Sequence, residues 1–286
     1  MSPFVFLTLM ALGFACVEMT ATWIFARRWS NFGIVDVVWS GGFAVIAALY
    51  WVLTAAQKYD SVSKGFPGWN PVSSGILTLM VTLWSLRLAW HLGRRVKSHH
   101  PVEDVRYARL RTTWGVHAER RMYGFFLVQG LLQVVLSLPF LLTCLASRPG
   151  APEPFLVIVQ VVSILLWVGS LVGESVADAQ LARFRSNPDN RGQVCQVGLW
   201  SWSRHPNYFF EWLIWVAYAL YAVNYPGGWM SVISPALILY FLLKVTGIPM
   251  TEALSVQSKG DAYRRYQRTT SAFVPWPPRT APTKEP

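Results

Sequence analysis

Seven apolar runs divide this chain, over residues 3–26, 34–56, 72–93, 124–146, 155–176, 208–224 and 229–248. Each is long enough, or nearly so, for the about 20 helical residues that a hydrocarbon core demands. Lipid offers backbone N–H and C=O groups no water to bond, so a run that crosses it must be helical. The expected fold is therefore all-α: a polytopic membrane protein with seven transmembrane helices. Composition agrees, with 53% hydrophobic residues and 14% charged ones, against about 25% charged in soluble domains. The first run lacks a basic leader and continues into Arg27-Arg28, so it reads as an uncleaved span and not as a signal peptide.

Charge supplies the orientation. The chain carries +11, an excess that in a soluble protein would point to nucleic acid. Here 20 of the 25 Lys and Arg residues fall in alternate connections: at 27–28, 94–121, 183–204 and after 249. The intervening loops hold only Lys58, Lys64 and Arg148, while Arg87 and Lys244 lie within runs. Positive residues collect on the cytoplasmic side, so the N-terminus is expected outside and the C-terminus in the cytoplasm. The outer loops, about 61–71, 147–154 and 224–228, are short or bland, which directs any chemistry to the cytoplasmic face. No nucleic-acid partner is expected, and membrane lipids are.

Metal chemistry has little footing. Cys16, Cys144 and Cys195 are far apart, His99-His100 are adjacent, and no HExxH or CxxC spacing occurs, so neither a metal site nor a disulfide framework is expected. GxGxxG, GxxxxGK[ST] and GxSxG are absent as well.

Ionisable residues at membrane depth are costly and mark functional candidates. Glu18, Asp36, Arg87, His91, Glu174, Asp178, Glu211 and Lys244 all lie in or at the ends of apolar runs. Near a helix end, snorkelling explains any one of them alone. Spacing adds information, because steps of three and four share a helical face. Trp84, Arg87, His91 and Arg94 form one stripe; Glu174, Asp178, Leu181 and Arg185 a second; Asn207, Glu211 and Trp215 a third. Such stripes either hold helices together by hydrogen bonds or line a cavity open to the cytosol. Between them lies the densest polar segment, Gly198 to Trp212, in which Pro206 suits the first position of a helix. Arg204 and His205 beside that helix start would suit a phosphate, or would anchor the helix to anionic headgroups.

At these residues the sequence resembles the membrane-embedded steroid 5-alpha-reductase family, in its bacterial branch. The resemblance rests on Gly198-Leu199-Trp200, on Ser203-Arg204-His205-Pro206-Asn207-Tyr208-Phe209 with Glu211, and on Ala177-Asp178-Ala179-Gln180 with Phe184. Glu103-Asp104-Val105-Arg106-Tyr107 and the tail elements Gly247-Ile248-Pro249-Met250-Thr251-Glu252, Tyr263-Arg264-Arg265-Tyr266-Gln267 and Phe273-Val274-Pro275-Trp276-Pro277-Pro278 add to it. The wider superfamily includes isoprenylcysteine methyltransferases and sterol C14 reductases.

The resemblance implies an NADPH-dependent enzyme that reduces a carbon–carbon double bond conjugated to a ketone. Its substrate would be a lipophilic enone, such as a 3-oxo-Δ4 steroid, entering from the bilayer, with NADPH entering from the cytosol. It implies one membrane-embedded domain over 1–286, with substrate-side helices in about 1–123 and a cofactor-binding half in about 124–286. Family cofactor contacts carry over to Asp178, Arg185, Asn207 and Glu211, and further to Glu174, Arg204, His205, Tyr208, Trp215, Tyr263 and Tyr266. In the animal enzymes a Gln-Glu pair in the second span and a Tyr in the third polarise the carbonyl. This chain has Asp36 near the start of its second run and Trp84 at the Tyr position. Asp36, Trp84, Arg87 and His91 are thus the expected catalytic residues, with Asp36 acting either as a buried acid or as a carboxylate favoured by its helix N-terminus. Rival readings are an S-adenosylmethionine-dependent methyltransferase of the superfamily, a sterol C14 reductase, and a non-catalytic lipid-binding or transport protein. A transporter would be expected to carry inverted repeats, and none is visible.

Overall fold

A computed structural model describes residues 1–62, 71–145 and 153–279. Lys64, Arg148, Lys284 and most of the two outer loops at 61–71 and 147–154 lie outside the described residues. The chain divides into two compact units, residues 1–156 with 222–231, and residues 157–221 with 232–286. Every described regular element is helical, and the β-pairing among the described residues is an isolated bridge between Ser203 and Ser271.

In the first unit, α1 (Pro3–Arg28) starts where Ser2 Oγ accepts the Val5 N–H, with Pro3 at the first helical position. Its buried stripe is Leu7, Ala11, Ala15, Met19, Thr22 and Ala26, the step of four and three that a helix turns to one side. Small residues in that stripe let α5 (Ala118–Leu136) approach closely: a Cβ on Gly130 would lie 3.0 Å from Met19 Cγ and 3.3 Å from the Ala15 carbonyl. The helices α2 (Ile34–Val62) and α3 (Pro71–His99) pack through small residues in the same way. Gly41 faces Ala89, Gly93 faces Val37, and the Ala44 N–H donates to Ser85 Oγ at 3.1 Å.

The short helix α4 (Val105–Trp114) is capped by Asp104, whose Oδ1 accepts the Arg106 N–H. It stops at Gly115, whose φ of 50° few other residues adopt. The fourth apolar run is broken: α5 ends at Ser137 and α6 (Leu138–Leu145) follows at a 40° bend. Pro139 causes the break, since it has no N–H to continue the ladder.

The second unit is led by α7 (Pro154–Ser186), whose 33 residues span about 50 Å at 1.5 Å per residue. That exceeds the about 30 Å hydrocarbon thickness, so its polar end, Asp178 to Arg185, extends past an apolar layer. The helix α8 (Pro206–Ala222) begins at the expected proline and lies against α7 at Gly173, where a Cβ would strike the Phe210 ring at 2.5 Å. Then α9 (Ile233–Tyr240) passes through a π-turn at Phe241–Val245 into α10 (Ile248–Thr269), which kinks at Gly260.

Among the described residues five helical stretches are long and apolar enough to cross a membrane, and six if the bent α4–α6 region counts as one. The sixth apolar run forms α8 at 17 residues, slightly short for a span by itself. The protein is all-helical and has the helices of an integral membrane protein.

Candidate functional site

The second unit gathers most of the residues expected at a cofactor. Glu174 and Asp178 sit one turn apart on α7 and are buried, at 2% and 9% exposure, whereas Arg185 two turns on is exposed. Asn207, in the first turn of α8, donates from Nδ2 to Asp178 Oδ1 at 3.3 Å. Its Oδ1 is buried and accepts no hydrogen bond. Glu211 stands half-buried one turn further along α8, and Trp215, the next step of the stripe, is fully buried. The Asp178–Asn207 couple is thus a real junction between two of the stripes, with one acceptor left for a donor group.

Arg204 and His205 serve another purpose. Arg204 Nε donates to Glu252 Oε1 at 2.6 Å, and its Nη1 donates to the Gln267 and Thr270 carbonyls. His205 Nε2 meets the same Glu252 oxygen at 3.2 Å, and Gln267 Nε2 donates to Glu252 Oε2 at 2.7 Å. Burial pushes the Glu252 carboxyl up, but the hydrogen bonds from His205, Arg204 and Gln267 outweigh it and bring the group down to about 2. The His205 ring stacks on Tyr208 at 5.3 Å, and Tyr208 Oη lies 3.4 Å from Thr251 Oγ1. Tyr266 donates to the Trp200 and Ser203 carbonyls, with buried Tyr263 packed edge-on against it at 5.7 Å. Three of the five N–H groups that a guanidinium carries therefore bind Arg204 to α10 and the tail. This clasp fixes the segment from which α8 and Asn207 start. The phosphate contact expected of Arg204 and His205 is not what these bonds provide.

In the first unit, Trp84 is fully buried on α3 with its ring 5.8 Å from Phe43, and Arg87 and His91 follow half-buried at one-turn steps. Asp36 stands apart from Trp84 but close to the level of the stripe's far end, since Gly93 faces Val37. The α2–α3 register sets Ala44 beside Ser85, so Asp36 lies eight residues, about 12 Å, nearer the helix start than the level of Trp84. Its Oδ1 accepts from Tyr107 Oη at 2.5 Å and its Oδ2 from Arg106 Nη2 at 2.6 Å. With both oxygens accepting, Asp36 is a poor fit to the buried acid that its sequence position suggested.

Around it, Asp104 accepts from Arg95 and Arg106, while Glu103 Oε1 accepts from the Phe32 N–H at 2.8 Å and from Arg111 at 3.0 Å. Burial raises the Asp104 carboxyl, but the hydrogen bonds and charge of Arg106, with Arg95, hold it below its ordinary range. This network ties α4 to the start of α2.

A second polar cluster in this unit was not anticipated. Gln133 is fully buried on α5 and donates to the Trp39 carbonyl at 2.8 Å. Gly42 leaves room for it and for Glu18, since a Cβ there would lie 2.2 Å from Gln133 Nε2 and 2.5 Å from both Glu18 oxygens. Glu18 drew notice in the sequence as a mid-run acid. Gln133 carried no signal beyond an amide in an apolar run, and Glu252 stood in a familiar tail without a partner. Among the described residues no three His, Cys, Asp or Glu side chains gather as metal ligands, and none of the three cysteines forms a disulfide.

Comparison with known proteins places the chain at the family level. An uncharacterized protein of Schizosaccharomyces pombe is 25% identical over 269 residues, an alignment covering 83% of this chain and 74% of that protein. No solved structure matches this chain. The match to a family model extends over residues 22–270, nearly the whole helical array described above, and the chain belongs to that family, described as "Protein of unknown function (DUF1295)".

Proposed function

We propose that this protein is an NADPH-dependent reductase of a carbon–carbon double bond conjugated to a ketone, acting on a flat lipophilic substrate such as a 3-oxo-Δ4 steroid. The family is one associated with steroid 5-alpha-reductase-like membrane proteins, and the residues on which the sequence resemblance rests include the junction that carries the reading. That junction is Asp178 with Asn207: two carboxylate oxygens and a buried amide oxygen that accepts from none of the described residues. An acceptor-rich corner of this kind suits the N–H and O–H donors of a nicotinamide ribonucleoside. Asp178, Asn207, Glu211 and Glu174 would hold that half of NADPH, and exposed Arg185 would meet a phosphate. The bound cofactor would supply the hydride.

The protein's own part is to stabilise negative charge on the enone oxygen and to deliver a proton to the α-carbon. Trp84 can donate an indole N–H to that oxygen but no proton. Arg87 adds positive charge, and His91 is the titratable donor on the same face. Asp36 is assigned a positioning role through Tyr107 and Arg106. The Arg204–Glu252–His205 clasp orients the start of α8, and with it Asn207.

The proposal includes seven spans, with α8 and the bent α5–α6 pair each crossing once, the N-terminus outside and the basic connections in the cytoplasm. The deciding test is NADPH oxidation by purified protein supplied with a steroid enone. Asn207→Ala is expected to abolish turnover and NADPH-dependent thermal stabilisation together; a fully active Asn207→Ala protein refutes the cofactor assignment. Stabilisation by S-adenosylmethionine and not by NADPH would move the protein to the methyltransferase branch.

A further inference from the structure

Where the second unit ends, α10 and the segment after it enclose a groove of about 370 Å³ that none of the roles above uses. Its walls are held by the protein's own backbone. The Arg279 N–H donates to the Thr269 carbonyl at 2.8 Å, the Trp276 N–H to the Trp202 carbonyl at 3.0 Å, and the Arg204 N–H to the Ser271 carbonyl at 2.8 Å. The groove is therefore a built feature, held open by the same tail that carries the Glu252 clasp.

Its polar side carries two cations. Arg268 and Arg279 both line it, both are exposed, and among the described residues neither is paired with a carboxylate. The acids of α10 are engaged elsewhere, Glu252 by Arg204, His205 and Gln267, and Asp261 by Arg264 at 2.9 Å. Ser271 adds a hydroxyl that bonds to no other described residue. Two guanidiniums and a hydroxyl around a shallow groove form a phosphate-binding arrangement.

Its other side is apolar. Ala272, Trp276 and Pro277 line it, with Trp276 67% exposed, and the backbone bond from Trp276 to the Trp202 carbonyl ties this rim to the segment that leads into α8. Exposed tryptophans beside arginines characterise the boundary between headgroups and hydrocarbon. Trp202 stands four residues before Pro206, where α8 begins, so this rim lies at the level where that apolar helix starts. A free phosphate has no use for the Trp276 indole, whereas a phospholipid uses both sides.

We propose that this groove binds the headgroup phosphate of an anionic phospholipid, with Arg268 and Arg279 on the phosphate and Trp276 against the glycerol and upper acyl chain. The assignment rests on the reading of α8 as a membrane span. Each basic residue near an anionic surface contributes about fivefold in affinity, so loss of both is expected to weaken binding about 30-fold. The test titrates the intact protein in neutral detergent with phosphatidylglycerol, phosphatidylcholine, inorganic phosphate and NADPH, read by native mass spectrometry and thermal shift.

Phosphatidylglycerol is expected to bind at least about tenfold tighter than phosphatidylcholine. The Arg268→Gln/Arg279→Gln protein is expected to lose that preference while still responding to NADPH, and Trp276→Ala to weaken both lipids. Equal binding of phosphatidylglycerol by the double variant overturns the site, and phosphate binding as tightly as the lipid overturns the choice of ligand. Sealed vesicles check the span separately, in a Cys16→Ser background with an impermeant thiol reagent against Trp276→Cys and Trp229→Cys. The two are expected on opposite sides; labelling from one side refutes the α8 span, while the detergent titration still decides the groove.

Discussion

Removing the charge of Glu252 while keeping its shape, as Glu252→Gln, should loosen the second unit at the point where α8 begins. The carboxylate takes Arg204 Nε at 2.6 Å, His205 Nε2 at 3.2 Å and Gln267 Nε2 at 2.7 Å. The Arg204 and Glu252 side chains are only 10% and 14% exposed. Taking one partner from a buried ion pair costs about 3–5 kcal/mol, and Arg204 keeps two backbone carbonyls, which favours the lower end. The carboxyl itself leads to a similar figure, since a group held at about 2 in place of 4.5 favours its ionised form by about 3 kcal/mol. In a protein of this size that corresponds to a fall of about 6–12 °C in melting temperature. In a Cys16→Ser/Cys144→Ser background, modification of buried Cys195 by a thiol-reactive dye on heating reads the unit directly.

The same reasoning fixes a pH dependence. Because the folded carboxyl is depressed, its contribution is complete above about 4.5 and is lost as pH falls towards about 2. Wild type should therefore lose the advantage over Glu252→Gln within that window. A variant that melts within about 2 °C of wild type, or one whose acid profile runs parallel to it, would refute the clasp. Additive effects of Glu252→Gln and Arg204→Gln would do the same, because contacting partners should couple.

Two further substitutions probe the first unit. Gly42→Ala places a methyl group 2.2 Å from Gln133 Nε2 and 2.5 Å from both Glu18 oxygens and is expected to cost about 1–3 kcal/mol by overpacking; Gln133→Ala in the same protein should recover only part of it by thermal shift, because the Glu18 contact stays. Tyr107→Phe removes the 2.5 Å hydrogen bond to Asp36 and is expected to cost about 1.5–3 kcal/mol, the usual value for a charged acceptor. If the same change proves neutral in an Asp36→Asn background, the bond itself carried the effect.

Several features are legible in the sequence itself. The apolar runs became helices because a chain in lipid has no other way to satisfy its backbone. Pro206 does open α8, and the bond between Asp178 and Asn207 joins two stripes that helical spacing had already marked. Less legible was the break at Ser137, where Pro139 interrupts a run that composition reads as one span. Gln133 was invisible, since its partners come from other helices and no local pattern points to them.

The sequence by itself determined the helical class, the membrane-spanning character and the stripes of polar residues, because these depend on periodicity and composition within single helices. The pairing of charges was decided only in three dimensions. Asp36 meets Arg106 across 70 residues, and Arg204 meets Glu252 across 48. Helical spacing tells which face a side chain occupies and says nothing of which other helix faces it. The two carboxylates therefore have their roles as clasps from packing, and Asn207, one step past the Arg204–His205 clasp, keeps the free acceptor on which the proposed chemistry depends.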